Sequence, residues 1–295
     1  MDIRVLRYFV TIAQELNMSR AAELLNVSQP ALSRQIADLE DELGVKLFRR
    51  EHRHLALTQE GHYLLGRAQQ IVGLVNKTTY YLQKQDVISG TIEIGAGESS
   101  GITPLMETLH QVMRQYPEVR VNLRSGDYED ILAGLDAGLL EFGVLMGYHN
   151  LNNYNTLQLP EENRWGVLMR ADAQLAEKDV IQPIDLVGRP LITSRQAAQR
   201  GTFQIWSGEL FNQLNFVGTY NLIFNASLLV QTGAVMALTY DKLIDHYTTK
   251  DGLVFRPLAP AVVEPNTLVW SKNHQLPNLN RLFLDTLQKE IANND

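Results

Sequence analysis

Residues 26–44 read NVSQPALSRQIADLEDELG, a stretch whose residue types suit hydrogen bonding to base edges. On a helical wheel Leu32, Ile36, Leu39 and Leu43 share one face, at the spacing of a buried stripe. Pro30, Ser33, Arg34 and Ala37 fall opposite, with Gln29 at the front end. A front so small and nearly uncharged fits a major groove about 12 Å wide. There Gln can bond adenine N6/N7, Arg can bond guanine O6/N7, and the ring of Pro30 can touch a thymine methyl. Backbone N–H groups near Ser28 can meet a phosphate. Charge sets the direction of entry: residues 28–37 carry only Arg34, whereas 38–42 carry Asp38, Glu40, Asp41 and Glu42. Phosphates repel the acidic end, so the amino-terminal half should insert. The plainer alternative is three packed helices whose charges are simply solvated.

A second constellation is GAGESSG at 95–101. A glycine-rich turn between a strand and a helix suggests a dinucleotide site, but the fingerprint is G-x-G-x-x-G and here the third glycine, Gly101, comes one place late. The following strand ends in Asn122-Leu123-Arg124-Ser125, not in the acid that a ribose needs. Ser99 and Ser100 instead offer hydroxyls near a helix start, which favours an anion such as a carboxylate; the alternative is that they only cap the helix. Gly126 with Asp127, Thr193 with Ser194, and Asn225 lie at the carboxyl ends of expected strands or at a helix start, where open α/β sheets bind ligands. Arg195 can pair a carboxylate or sit on the surface. His52 and His54 form an H-x-H without a third ligand in register, so no metal is expected. No G-x-S-x-G, H-E-x-x-H or Walker A sequence occurs.

The positioning elements follow from spacing. Ile3, Leu6, Phe9, Val10, Ala13 and Leu16 predict a first helix. Ser19 predicts a cap for a short second helix over 20–25, and Ser28 a cap for the third, with Pro30 in its first turn and Gly44 at its end. A turn of four residues, 26–29, makes this a helix-turn-helix. Two short β runs, 46–50 and 55–57, flank a polar tip and predict a hairpin, or wing, whose Lys46, Arg49, Arg50 and Arg53 outweigh Glu51 by +3. From Thr58 to Gln85 apolar residues recur every three or four positions, predicting a helix about 42 Å long. That exceeds the needs of a small domain and suggests a dimer seam, with packing on its own domain as the alternative. Beyond Ser89-Gly90 strands and helices alternate, predicting a parallel α/β sheet: strands over 91–94, 119–123, 142–146, 165–169, 190–193, 216–220 and 234–239, helices over 102–116, 127–137, 198–214, 225–232 and 278–291.

Length and composition bound the function. The 295 residues allow roughly two domains at ~150 residues each. The absence of cysteine excludes disulfides, thiolate zinc sites, iron–sulfur clusters and a cysteine nucleophile, and fits a reducing compartment. No apolar run of membrane-spanning length occurs, and MDIRVLRYFVTIAQELN lacks the apolar run and cleavage site of a signal peptide, so a cytoplasmic chain without membrane contact is expected. The net charge of −7 argues against simple coating of nucleic acid, leaving a local basic patch as the contact.

Residues 3–62 resemble the winged helix-turn-helix of LysR-type transcriptional regulators. The resemblance rests on Ser19-Arg20-Ala21-Ala22, on Ser28-Gln29-Pro30-Ala31-Leu32-Ser33, on Leu39-Glu40-Asp41-Glu42-Leu43-Gly44, on Leu47-Phe48-Arg49-Arg50 and on LTQEG at 57–61, in the family's order and spacing. It implies an α/β multidomain protein: a winged helix-turn-helix over 1–58, a linker and dimerisation helix over 59–88, and a two-lobed effector domain over 89–295, similar to periplasmic binding proteins. Lobe one would span about 89–160 and 265–295, lobe two about 161–264. It also implies a cytoplasmic regulator that is no enzyme. Double-stranded DNA would meet Ser28, Gln29, Pro30, Ser33, Arg34, Arg50 and Arg53. A small-molecule effector, a carboxylate among the candidates, would meet Ser99, Ser100, Gly126, Thr193, Ser194 and Asn225. The chain would be a homodimer or homotetramer with no further cofactor and no metal. Two places depart from the family pattern: Met169-Arg170-Ala171-Asp172 stands where His-Pro is common, and Leu238-Thr239 where Leu-Pro is common. The rival readings are a two-lobed solute-binding protein and an enzyme with a non-DNA-binding helical domain. The second would need a cleft base or acid of perturbed pKa.

Overall fold

The computed structural model describes residues 1–51, 54–83, 88–244 and 252–294, without the side chains of Glu51, His54, Tyr81, Gln83 and Asn294. By contact the chain divides into Met1–Val87 and Ile88–Asp295.

The first unit begins with α1 (Ile3–Glu15), α2 (Met18–Leu24) and α3 (Gln29–Leu43). The cap of α2 is Asn17, which accepts from the Arg20 N–H at 3.0 Å, and not Ser19 as its residue type suggests. Met18 thereby joins the helix, two residues before the expected start. Asn26 closes α2 in the left-handed region (φ 53°), and the Val27 N–H reaches back to the Ala22 carbonyl at 3.0 Å. Ser28 caps α3 and Gly44, at φ 68°, ends it. Leu32, Ile36 and Leu39 of α3 are buried with Phe9 and Ile12 of α1. Leu43 is 38% exposed, so the buried stripe is one turn shorter than its spacing implies. The hairpin follows, β1 (Phe48–Glu51) antiparallel to β2 (His54–Leu57). Then comes α4 (Gln59–Gln83). Thr58 joins hairpin to helix: its hydroxyl donates to the Lys46 carbonyl at 2.6 Å and accepts from the Gly61 N–H at 2.9 Å.

The second unit contains β3 (Gly90–Ala96), α5 (Thr103–Gln115), β4 (Val119–Ser125), α6 (Tyr128–Asp136) and β5 (Phe142–Met146). Next are β6 (Tyr154–Arg170), β7 (Pro190–Ser194), α7 (Arg195–Arg200), α8 (Thr202–Ser207), β8 (Asn215–Tyr220) and α9 (Ile223–Gln231). Last come β9 (Met236–Tyr240), β10 (Leu253–Pro257), β11 (Val263–Ser271) and α10 (Asn278–Asn294). Among the described residues the strand order is β4-β3-β5-β11-β6-β9-β7-β8, with β10 also on β6. The sheet is mixed and not all-parallel: β11 runs antiparallel to β5 and β6, and β6 antiparallel to β9 and β10. The 17-residue β6 belongs to both lobes. Lobe one packs Ile92, Ile94, Phe142 and Leu268 against Leu105 and Leu109 of α5 and Phe283 and Leu287 of α10. Lobe two packs Trp165, Val167, Leu191 and Leu238 with Phe203. The helix expected over 198–214 is broken, because Gly201 and Gly208 take φ of 69° and 55° and divide it into α7, α8 and a 3-10 turn.

Candidate nucleic-acid interface and effector cleft

Ser28, Gln29, Pro30, Ser33, Arg34 and Ala37 all lie on the exposed side of α3. The Ser28 hydroxyl accepts from the Ala31 N–H at 3.4 Å, leaving the first turn open at its tip. Behind this front Leu32 is fully buried, and Ile36 and Leu39 are nearly so. The arrangement offers side chains and unused helix N–H groups from one rigid end, which suits entry into a groove. Among the described residues neither Arg34 nor Arg50 pairs with a carboxylate, so both charges remain available. Arg50 lies exposed on β1. Arg53 and His52 fall outside the described residues, as does the side chain of His54.

Of the four acids at 38–42, Glu40 does not contribute to the exposed acidic end. It is buried at 8% exposure, one oxygen accepting from Lys46 Nζ at 2.8 Å and the other from the Leu47 and Phe48 N–H groups at 2.8 and 3.2 Å. Burial alone would raise its pKa, but Lys46 and the two backbone donors outweigh burial and hold the carboxyl below the usual range. Lys46 is therefore tied to α3. Asp38, Asp41 and Glu42 remain exposed, so the acidic end of α3 persists, with Glu42 pairing the Met1 amine at 2.6 Å. The clue to Glu40 is its place four residues after Ile36, on the buried face.

In the second unit a small cleft lies beside the carboxyl ends of β7 and β9, with a cavity of about 60 Å³. Gly126 and Ser194 line it. Ser194 also caps α7, accepting from the Ala197 N–H at 3.2 Å. The other expected contacts are placed differently. Ser99 is buried beside a neighbouring chamber, where it accepts from the Gly101 N–H at 2.9 Å and donates to Asn163 Oδ1 at 2.5 Å, which occupies it. It caps the 3-10 turn over 100–102 and at the same time lines that chamber. Ser100 lines none of these cavities, and its carbonyl accepts from the Thr103 hydroxyl at 2.7 Å. Thr193 is buried at 1% exposure, outside the cavity walls. Asn225 points to solvent because it is the third residue of α9, on the side away from Ile223 and Ala226.

The walls carry charge, from Asp127 and Arg195, which residue type brought forward, and from Glu98, Arg200 and Glu264, which it did not. Arg195 pairs with Asp127, the cap of α6. Burial raises the Asp127 pKa, yet the Asp130 N–H and Arg195 together hold it below the carboxylate range. Glu98 accepts from the Ile223 N–H at 2.8 Å, at the start of α9. Arg200 donates to the Met146 carbonyl at 2.7 Å and to Glu264 at 3.0 Å, and the Tyr240 hydroxyl donates to the same carboxylate. Burial, then Glu264, pushes the Tyr240 hydroxyl well up, so it stays a donor. At the departure from the family pattern, Arg170 binds Asp172 at 2.8 Å and the Gln231 carbonyl at 3.1 Å, tying the end of β6 to the end of α9. Among the described residues no cluster of His, Cys, Asp and Glu could hold a metal.

Residues 3–62 match the family described as "Bacterial regulatory helix-turn-helix protein, lysR family", and residues 85–292 match "LysR substrate binding domain". The chain is 31% identical over 217 residues to the HTH-type transcriptional regulator BsdA of Bacillus subtilis (strain 168), covering 73% of this chain and 74% of that one. It is 31% identical over 301 residues to the Hca operon transcriptional activator HcaR of Escherichia coli (strain K12), covering 99% of each. Its fold matches that of full-length CbnR complexed with its target DNA, with a TM-score of 0.71 at 19% identity over 98% of this chain and 99% of that one.

Proposed function

The chain belongs to the LysR family of bacterial transcriptional regulators, DNA-binding proteins with an effector-binding domain, and we propose that it reads its operator with the amino-terminal half of α3. One observation carries this reading: Gln29, Pro30, Ser33 and Arg34 form an exposed, nearly uncharged front on a helix anchored by Leu32, Ile36 and Leu39. Gln29 and Arg34 supply the base-edge bonds, Pro30 and Ser33 the close fit, and the N–H groups by Ser28 a phosphate contact. Arg50, with Arg53 in the wing, supplies backbone charge. Two such units on one homodimer would read half-sites about 34 Å apart, and two dimers would make the tetramer.

The cleft of the second unit binds a small-molecule effector, and its lobes bias the DNA-bound arrangement only insofar as the effector prefers one of their arrangements. Gly126 and Ser194 remain its proposed backbone and hydroxyl contacts. We read it as a binding site and not a catalytic one, because Glu98, Asp127 and Glu264 each already accept from a donor within the chain. The regulator works where its DNA is, in the cytoplasm; among the described residues no helix is long and apolar enough to cross a membrane.

Gel retardation with the DNA upstream of the chain's own gene tests the reading. Wild type should retard a fragment, and Arg34→Ala should lose about 1–3 kcal/mol of specific affinity at fixed salt. Equal affinity for the two proteins would overturn it.

A further inference from the structure

Two carboxylates from lobe one reach groups of lobe two across the cleft. Asp127 receives Arg195, the first residue of α7. Glu98, in the loop after β3, receives the Ile223 N–H at 2.8 Å, where α9 has no capping side chain of its own at Leu222. A guanidinium and an uncapped helix start are the groups that hold a ligand's carboxylate in other proteins. Here the chain's own carboxylates fill both.

Arg195 also stands between two spaces. On one side is the inner cavity of about 60 Å³, room for only a few waters. On the other is a chamber of about 340 Å³ walled by Asp127, Tyr128 and His149, with Arg195, Gln196 and Arg200 common to both. Tyr128 and His149 stack at 4.2 Å, giving that chamber a firm wall. The outer chamber alone reaches the lower end of the range of small-molecule sites, about 300–1,000 Å³, and opening the Arg195–Asp127 pair would join the inner cavity to it. Trp165 lines the inner cavity, and its buried indole N–H has no acceptor among the described residues.

We propose that the Asp127–Arg195 pair is a gate between the two chambers, and that a small carboxylate enters by taking the place of Asp127 on Arg195. Glu98 holds α9 in the same way, as a second internal stand-in. The inference rests on reading the cleft as the effector site. It makes lobe closure in this chain a competition between its own acids and an anionic ligand. Asp127 suits the role because its retreat need not unfold α6: its second oxygen caps the helix, accepting from the Asp130 N–H at 3.1 Å.

The chain has no cysteine, so one label can be placed on each lobe. Lys289→Cys on α10 and Glu209→Cys, both exposed, give a distance across the cleft in full-length protein. Labelled chain is mixed with excess unlabelled chain, so that only distances within one chain are read. Sodium acetate, titrated against chloride at constant ionic strength, is the probe. Wild type should move to a second distance as acetate rises. Asp127→Asn, which keeps the cap, should lower the half-point roughly fivefold. Glu98→Ala should lower it too, and Arg195→Gln should abolish the response. A wild-type distribution that acetate leaves unmoved, or an Asp127→Asn half-point equal to or above that of wild type, overturns the gate. Gel retardation by the same labelled wild type is read separately; its failure would sink the regulator reading and leave the gate's result standing.

Discussion

Glu40 shows how one side chain can shape the interface without touching DNA. Its carboxylate fixes the start of the wing through Lys46 and the Leu47 and Phe48 N–H groups. The folded pKa lies below the unfolded value, so the stabilisation is present above about pH 4.3 and is lost as pH falls through the folded value. Glu40→Gln should cost the first unit about 1–3 kcal/mol at pH 7 in urea unfolding. The gap from wild type should shrink as the pH falls from 5 to 3. A gap that is the same at pH 3 and pH 7 would remove the carboxylate from the account. Residue type alone made Gln29, Ser33 and Arg34 legible, because a groove-facing surface needs only exposed side chains. It overlooked Glu98 and the Asn163 partner of Ser99, because it shows hydroxyls and acids but not which are already engaged by partners within the chain. Glu98 meets Ile223 across 125 residues and Asp127 meets Arg195 across 68, separations that no local pattern encodes.

Elements were readable wherever local rules alone set their limits. Ser28, Pro30 and Gly44 bracket α3, and Asp127 starts α6 with a capping box, both without tertiary help. The first half of β6 escaped notice because Pro160, Glu161, Glu162 and Asn163 spoil its alternation; pairing with β11 is what extends it. At β10 and β11 the signal is likewise long-range pairing. The wing depends on a close approach: a Cβ on Gly61 would stand 2.1 Å from the Leu47 carbonyl oxygen, a backbone atom that cannot rotate away. Gly61→Ala should therefore destabilise the first unit by about 1–3 kcal/mol and loosen the hairpin from α4. Gly66 on the same helix has nothing within 4 Å, so Gly66→Ala should be neutral or stabilising. Urea midpoints for the two variants check this; equal midpoints would mean that the contact does not hold the wing.

At the scale of the whole molecule, α4 divides its apolar residues between two tasks. Leu64, Leu65 and Val72 pack on the core of the first unit, and Ala68 is fully buried there. Ile71, Leu74 and Leu82 stay 38%, 42% and 67% exposed. Packing on its own domain thus holds for one face of the stripe, and the other face is the one a homodimer would cover. Replacing Ile71 and Leu74 together by Glu should shift sedimentation toward the monomer and weaken binding to a two-half-site operator; unchanged sedimentation would place the seam elsewhere. The helix front matters only through such pairing, since one module reads too few base pairs to single out a site. The most direct trial of that front is selection of binding sites from random duplex DNA by the full-length chain and by Arg34→Ala. Wild type should enrich two half-sites of fixed spacing, and the variant should keep the spacing while losing preference at one base pair in each half-site. An identical consensus from both proteins would contradict the assignment of α3 as the reading helix.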